Sequence, residues 1–254
     1  MTQFAPNVRI VIVGGHTRSI GKTQLACDVI SALPEANWIA GKITQYGHGV
    51  CAQNGQDCDC APDEHVCAIS WEHDATTGTD SSRFLAAGAQ HSFWLRTKLG
   101  FLAEGMPLFR EALDEIIRTR RPQGQNGDEA TTFTAVPVNV VLESNTLLQF
   151  LKPDLFLMVL HPGKADFKDS AQLQLDRASA FVLREPLSAA ATGSPSSVSN
   201  AGGNAATSWN KIPIQLLQAK PQFLQREHDP LPPSLLEIVR NHVCIHASAP
   251  SINM

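Results

Sequence analysis

The sequence predicts an α/β protein with a doubly wound, mostly parallel sheet, on three observations. Residues 10–13 form a β-branched run that passes through Gly14-Gly15 and a polar loop to Gly21-Lys22-Thr23. A helical stripe of Leu25, Ala26, Val29, Ile30 and Leu33 follows it. Two further segments, residues 136–142 and 155–160, are dense in apolar residues, as strands buried on both faces are. Strand-length and helix-length patterns alternate along the chain, which favours parallel strands joined by helical crossovers.

The remaining elements follow in order. Residues 38–44 (WIAGKIT) form a second strand, and residues 48–73 a cysteine-rich insertion read as loop. Thr79-Asp80-Ser81 offers an N-cap to a helix carrying Phe84, Leu85 and Ala87. Residues 91–97 alternate as a strand does. Residues 102–120 place Leu108, Phe109, Ala112, Leu113, Ile116 and Ile117 on one helical stripe with basic residues at the end. Residues 122–130 are a polar interruption. The strand at 136–142 ends on Glu143-Ser144-Asn145, a short helix spans 146–151, and 155–160 is a buried strand. Residues 169–178 suit a helix and 180–184 a strand. Residues 187–208 contain almost no large apolar side chain, a composition that cannot build a core and suits a flexible linker or lid. A strand or helix at 212–217 and a helix at 233–243 complete a single domain over residues 1–254.

Composition narrows the function. With 17% charged residues and a formal net charge of −4, the chain has no electrostatic case for nucleic-acid binding. No apolar run approaches the roughly 20 residues that a membrane span needs. The first strand begins within ten residues of the N-terminus, which leaves no room for a signal peptide. The expectation is a cytoplasmic chain whose six cysteines are reduced, as ligands or buried residues rather than disulfides.

Strand, glycine-bounded loop, Lys-Thr and helix is the order that wraps backbone N–H groups around phosphates. Lys22 would reach the β- and γ-phosphates, and the Thr23 hydroxyl would ligate Mg²⁺. Gly15, Thr17 and Gly21 belong to the same cradle. The common GxxxxGK[ST] spacing wants glycine at position 16, where this chain has His16, a contact for phosphate or for solvent. Lys42 and Glu143 sit at the ends of predicted strands, the edge where open α/β sheets bind ligands. Glu143 could hold Mg²⁺ or orient a nucleophile, or be a solvated strand-end carboxylate. Lys42 could neutralise a phosphate or a substrate carboxylate, or be a plain surface lysine. Asp80 is a nucleotide-binding candidate that helix capping explains equally well.

Cys51, Cys58, Cys60 and Cys67 crowd one stretch with His48, His65 and His73 beside them. Four reduced thiols could form a zinc site or hold an iron–sulfur cluster. Their Cys-x6-Cys-x-Cys-x6-Cys spacing is not that of paired CxxC knuckles, so incidental thiols remain the alternative. Cys27 and Cys244 suit buried small hydrophobes.

The loop GGHTRSIGKT resembles that of dethiobiotin synthetase and its relatives, where five residues also separate the glycines. Lys42 within GKITQYG looks like the lysine after the second strand of that family. Residues 78–89 (GTDSSRFLAAGA) resemble a region of the molybdopterin-guanine dinucleotide biosynthesis protein B family, whose later strand-end Glu-Gly is partly matched by Glu143-Ser144. The resemblance covers residues 9–160. It implies a sheet of the P-loop NTPase type, Lys22, Thr23 and Glu143 in phosphate and Mg²⁺ roles, and a homodimer. The chain departs from the pattern at Gly78-Thr79-Asp80, which lacks a lysine before the aspartate, and at Ser144. Arg184-Glu185 is not the Asn-Lys-x-Asp signature of guanine binding, which leaves ATP and GTP both open.

The function expected is Mg²⁺-dependent nucleotide binding with ATP or GTP hydrolysis, in cofactor or metal-centre assembly, with a small-molecule or protein client. An ATP-dependent small-molecule ligase or kinase is one alternative. A metal-binding adaptor with a vestigial phosphate loop is the other.

Overall fold

The computed structural model describes residues 7–46, 66–119, 137–185, 212 and 214–245. Its described strands are β1 (Val8–Gly15), β2 (Ile39–Tyr46), β3 (Cys67–Glu72), β4 (His91–Lys98), β5 (Val138–Glu143), β6 (Leu155–Leu160), β7 (Ala180–Leu183) and β8 (Gln222–Leu224). They form one eight-stranded sheet in the order β3-β4-β2-β5-β1-β6-β7-β8. Every pairing is parallel except that of β3 with β4. The described helices are α1 (Lys22–Ala32), α2 (Asp80–Ala86), α3 (Leu102–Thr119), α4 (Asp169–Gln172), α5 (Ile214–Gln218) and α6 (Pro233–Asn241).

The central strands are apolar on both faces because both faces are covered. Ile10, Ile12, Val140 and Leu142 pack with Phe109, Leu113 and Ile116 of α3 on one side. Val11, Val13 and Val141 pack with Leu25, Val29 and Ile30 of α1 and with Leu235 and Val239 of α6 on the other. Alternation along β1 thus feeds two separate cores, and any break in it would expose apolar surface on one side.

The strand order also locates the ligand edge. From β1 the chain crosses past β5 to β2, whereas from β6 it moves the opposite way, to β7. Connections leaving two neighbouring strands in opposite directions open a crevice at their carboxyl ends. That crevice lies between the loop after β1 and the segment after β6.

Several expectations need correction. Residues 67–72, read as part of a loop, form the antiparallel edge strand β3, whose register with β4 pairs Cys67 with Thr97 and Glu72 with Ser92. Half-buried side chains on both faces blur the alternation that would reveal such a strand. Lys42 is not at a strand end: β2 leaves β5 at the Lys42–Glu143 pair but continues along β4 to Tyr46. The helix expected at 169–178 is split into α4 and a 3₁₀ turn at Leu175–Arg177, and the one expected at 146–151 is a 3₁₀ turn at Thr146–Gln149. Of the strand or helix expected at 212–217, the described residues show helix, α5. Strand β8 was not anticipated. Cys51, Cys58, Cys60, the low-complexity stretch 187–208 and the polar interruption at 122–130 lie outside the described residues.

Candidate functional site

The parallel strands bring the ends of β1, β5, β6 and β7 to one edge, where a cavity of about 1600 Å³ opens. Cations from six separate segments line it: Arg18 and Lys22, Lys42, Arg83, Lys164 and Lys168, Arg184, and Arg226, against the carboxylates of Asp80, Glu143, Glu185 and Glu227. In a chain of net charge −4, this concentration of positive charge suits a polyanion.

The loop between β1 and α1 is built around two anchors. Asn145, just past β5, accepts from the Gly15 amide at 2.8 Å and donates back to the Gly15 carbonyl at 2.7 Å. A side chain at Gly14 could not coexist with this, since its Cβ would meet the Phe156 ring at 2.7 Å. The loop then turns through left-handed backbone at Ser19 (φ 49°) and Gly21 (φ 82°), and Gly21 serves as the N-cap of α1. The second anchor, Arg184, donates to the Ile20 carbonyl at 3.2 Å and the Gly21 carbonyl at 2.5 Å.

What the loop leaves open matters most. The His16 amide donates to the Val159 carbonyl, and the Leu25 amide to the Gly21 carbonyl. Between them, the amides of residues 17–24 donate to no backbone carbonyl or side chain among the described residues. A run of free N–H groups entering a helix is an anion-binding arrangement, reinforced by the helix dipole. The Lys22 ammonium folds into the loop and donates to the Thr17 carbonyl at 2.7 Å. Burial pushes its pKa below the usual lysine value, and nearby Glu143 partly offsets that effect.

Across from the loop, Thr23 Oγ1 donates to Glu143 Oε2 at 2.6 Å. Glu143 is only 6% exposed. Lys42, its register neighbour, places Nζ 3.7 Å from Glu143 Oε1 and also donates to Asp80. Asp80 begins α2, whose cap is the neighbouring Thr79 hydroxyl accepting from the Ser82 amide. The helix-cap expectation for this tripeptide thus falls on Thr79, while Asp80 faces Lys42 and Arg83. Glu72 of β3 holds the approach in place by accepting from the amides of His73 and Asp74 and the hydroxyls of Thr79 and Ser81.

Gly21, Lys22, Thr23, Lys42, Asp80 and Glu143 therefore converge on one cavity, with Thr17 at its rim. Gly15 and His16 stand apart. The Gly15 amide is committed to Asn145. The His16 ring is 1% exposed, packs 5.1 Å from the Phe167 ring, and places Nε2 3.4 Å from the Lys164 carbonyl. His16 lies beneath the cradle, and burial lowers its pKa to about 4, so the ring is neutral. Cys67 sits on β3 with its thiol donating to the Glu104 carbonyl at 3.6 Å, and burial raises its pKa. No cluster of metal-ligating side chains occurs among the described residues.

Sequence reasoning missed Arg184, Asn145 and the segment after β6. There, Asp166 accepts from the Thr17 hydroxyl and Lys164 donates to the Ser19 carbonyl at 2.6 Å. Asn145 stood beside Glu143 in the strand-end tripeptide, which was the one available signal. The others act across more than 140 residues and left none. No protein-family model matches the chain, and a search of curated proteins finds no match either. No described helix is long and apolar enough to cross a membrane.

Proposed function

We propose that the chain is a Mg²⁺-dependent nucleotide-binding protein of the P-loop NTPase type that hydrolyses ATP or GTP. The observation that carries this reading is the run of unengaged amides over residues 17–24, curled around Lys22 at the start of α1. Those N–H groups would cradle the β- and γ-phosphates, and Lys22 would offset the charge that develops on the transferring phosphoryl group. Thr23 Oγ1 and Glu143 supply hard oxygen donors side by side, a set that suits Mg²⁺. The ion, when bound, would neutralise phosphate charge. Glu143 would also orient an attacking water, with Lys42 Nζ 3.7 Å from its second oxygen. The resemblance to two cofactor-biosynthesis families points the activity toward cofactor or metal-centre assembly.

The test is a calorimetric titration of Mg·ATP and Mg·GTP into the wild type and Lys22→Ala, with the protein purified without chelators. Saturable binding of one nucleotide, lost in the variant, supports the reading and decides the base. A folded wild type that binds neither overturns it.

One observation favours a ligase or kinase as a second reading. The cavity exceeds the roughly 300–1,000 Å³ of an ordinary small-molecule site. Its surplus runs along Lys42 and Thr44 to Trp94, whose indole N–H is fixed on Thr44 Oγ1 at 2.8 Å. A second substrate would fit there. Turnover would then require that substrate, whereas a switch protein hydrolyses nucleotide slowly alone.

A further inference from the structure

We infer that Arg184 is a positioning residue that aims the anion-binding amides of Gly21 and Lys22, an inference that rests on the nucleotide reading above. Arg184 follows β7, which the sequence assigns no part in the loop, and is only 7% exposed. Burial pulls its pKa down, opposed by the charges of Asp28 and Glu227. A guanidinium is held out of water at a loss unless its N–H groups find acceptors. Here they do: Nε donates to the Ile20 carbonyl, Nη2 to the Gly21 carbonyl, and Nη1 to the carbonyl and side-chain oxygens of Gln225 at 3.2 and 3.1 Å.

The consequence follows from peptide geometry. In a trans peptide the C=O and the next residue's N–H point in opposite directions. Pinning the Ile20 and Gly21 carbonyls onto Arg184 therefore turns the Gly21 and Lys22 amides away from it, and both amides are among those without a protein acceptor. The loop crosses left-handed backbone at Ser19 and Gly21, where it would otherwise be free to relax. Gly21 has no room for a side chain here, since a Cβ would lie 2.8 Å from Arg184 Nη2. The clamp is itself fixed, because fully buried Gln225 donates to Asp28 Oδ2 on α1 at 2.7 Å. Arg184 thus ties the loop to the residue that follows β8 and, through it, to the helix that the loop begins. A planar fork suits this task, since one lysine ammonium could not satisfy both carbonyls and Gln225 at once.

The test uses inorganic tripolyphosphate and the nucleotide that the wild type binds, each titrated calorimetrically into wild type, Arg184→Ala and Arg184→Lys. Gly21 and Lys22 amide resonances are followed by NMR, and thermal midpoints verify folding. The expected result is a loss of about tenfold or more in affinity for both ligands in both variants, with shifted Gly21 and Lys22 amides in the free protein. Millimolar guanidinium should restore binding to Arg184→Ala. If Arg184→Ala does not fold, Arg184→Lys carries the test, because it keeps the charge and loses only the fork. Near-wild-type affinity in Arg184→Lys would mean that charge alone matters, and would overturn the inference while leaving the nucleotide reading intact. Unshifted amides would do the same. A wild type that binds neither ligand would overturn both.

Discussion

The Thr23 hydroxyl donates to Glu143 at 2.6 Å across a sequence separation of 120 residues, joining the start of α1 to the end of β5. Thr23→Val removes this donor and leaves a buried carboxylate with one fewer partner. The expected loss of stability is about 1–3 kcal/mol, read from urea unfolding. The same variant should bind nucleotide equally with and without Mg²⁺. A midpoint equal to the wild type's would mean that the contact contributes nothing to the fold.

Lys22 tests the tension between stability and function. Its ammonium is partly withdrawn from water, and burial lowers its pKa, so the charged form strains the folded state. Lys22→Met should therefore unfold at a temperature no lower than the wild type while losing nucleotide binding. A clear drop in thermal midpoint would show that the bond to the Thr17 carbonyl outweighs the desolvation.

His16 should give stability a pH dependence of definite sign. Its folded pKa is about 4 against an ordinary 6.5. Between these values the unfolded chain binds the proton and the native ring does not. Stability is therefore complete above pH 6.5 and falls as the pH drops toward 4, by about 3 kcal/mol in all. Carboxylates add their own acid sensitivity, so the measurement is the difference between wild type and His16→Gln across that window. A difference that stays constant with pH would place the ring in solvent.

Gly21→Ala should disturb the loop twice over. A residue with a Cβ pays about 1–2 kcal/mol for left-handed backbone, and this Cβ would press on Arg184 Nη2. The variant should melt earlier and lose affinity for tripolyphosphate. Wild-type behaviour in both measurements would mean that the turn can relax without moving the clamp.

The parts of the fold legible in the sequence were those written in neighbouring residues. The β-branched run of β1, the stripe of α1 and the dense apolar segments of β5 and β6 appear as expected because their periodicity reports burial directly. Strand β3 escaped because its half-buried residues alternate weakly, and β8 because three residues carry too little pattern. The placement of Lys42 failed for a different reason. Where β2 ends depends on β4, which continues to pair with it after β5 has stopped.

The candidate site divides along the same line. The sequence by itself showed the loop's glycines, Lys22 and Thr23, because a strand-loop-helix unit is written within about twenty residues, and Glu143, because it closes the dense apolar run of β5. Only the tertiary structure decided which groups face the ligand edge. It turned His16 inward against Phe167, committed the Gly15 amide to Asn145, set Lys42 between Asp80 and Glu143, and brought Arg184 beneath the loop. The Arg184 contact joins residues 163 positions apart, and the Asn145 contact residues 130 apart. Such partners are selected by strand order in the sheet, which side-chain periodicity along a single segment does not encode.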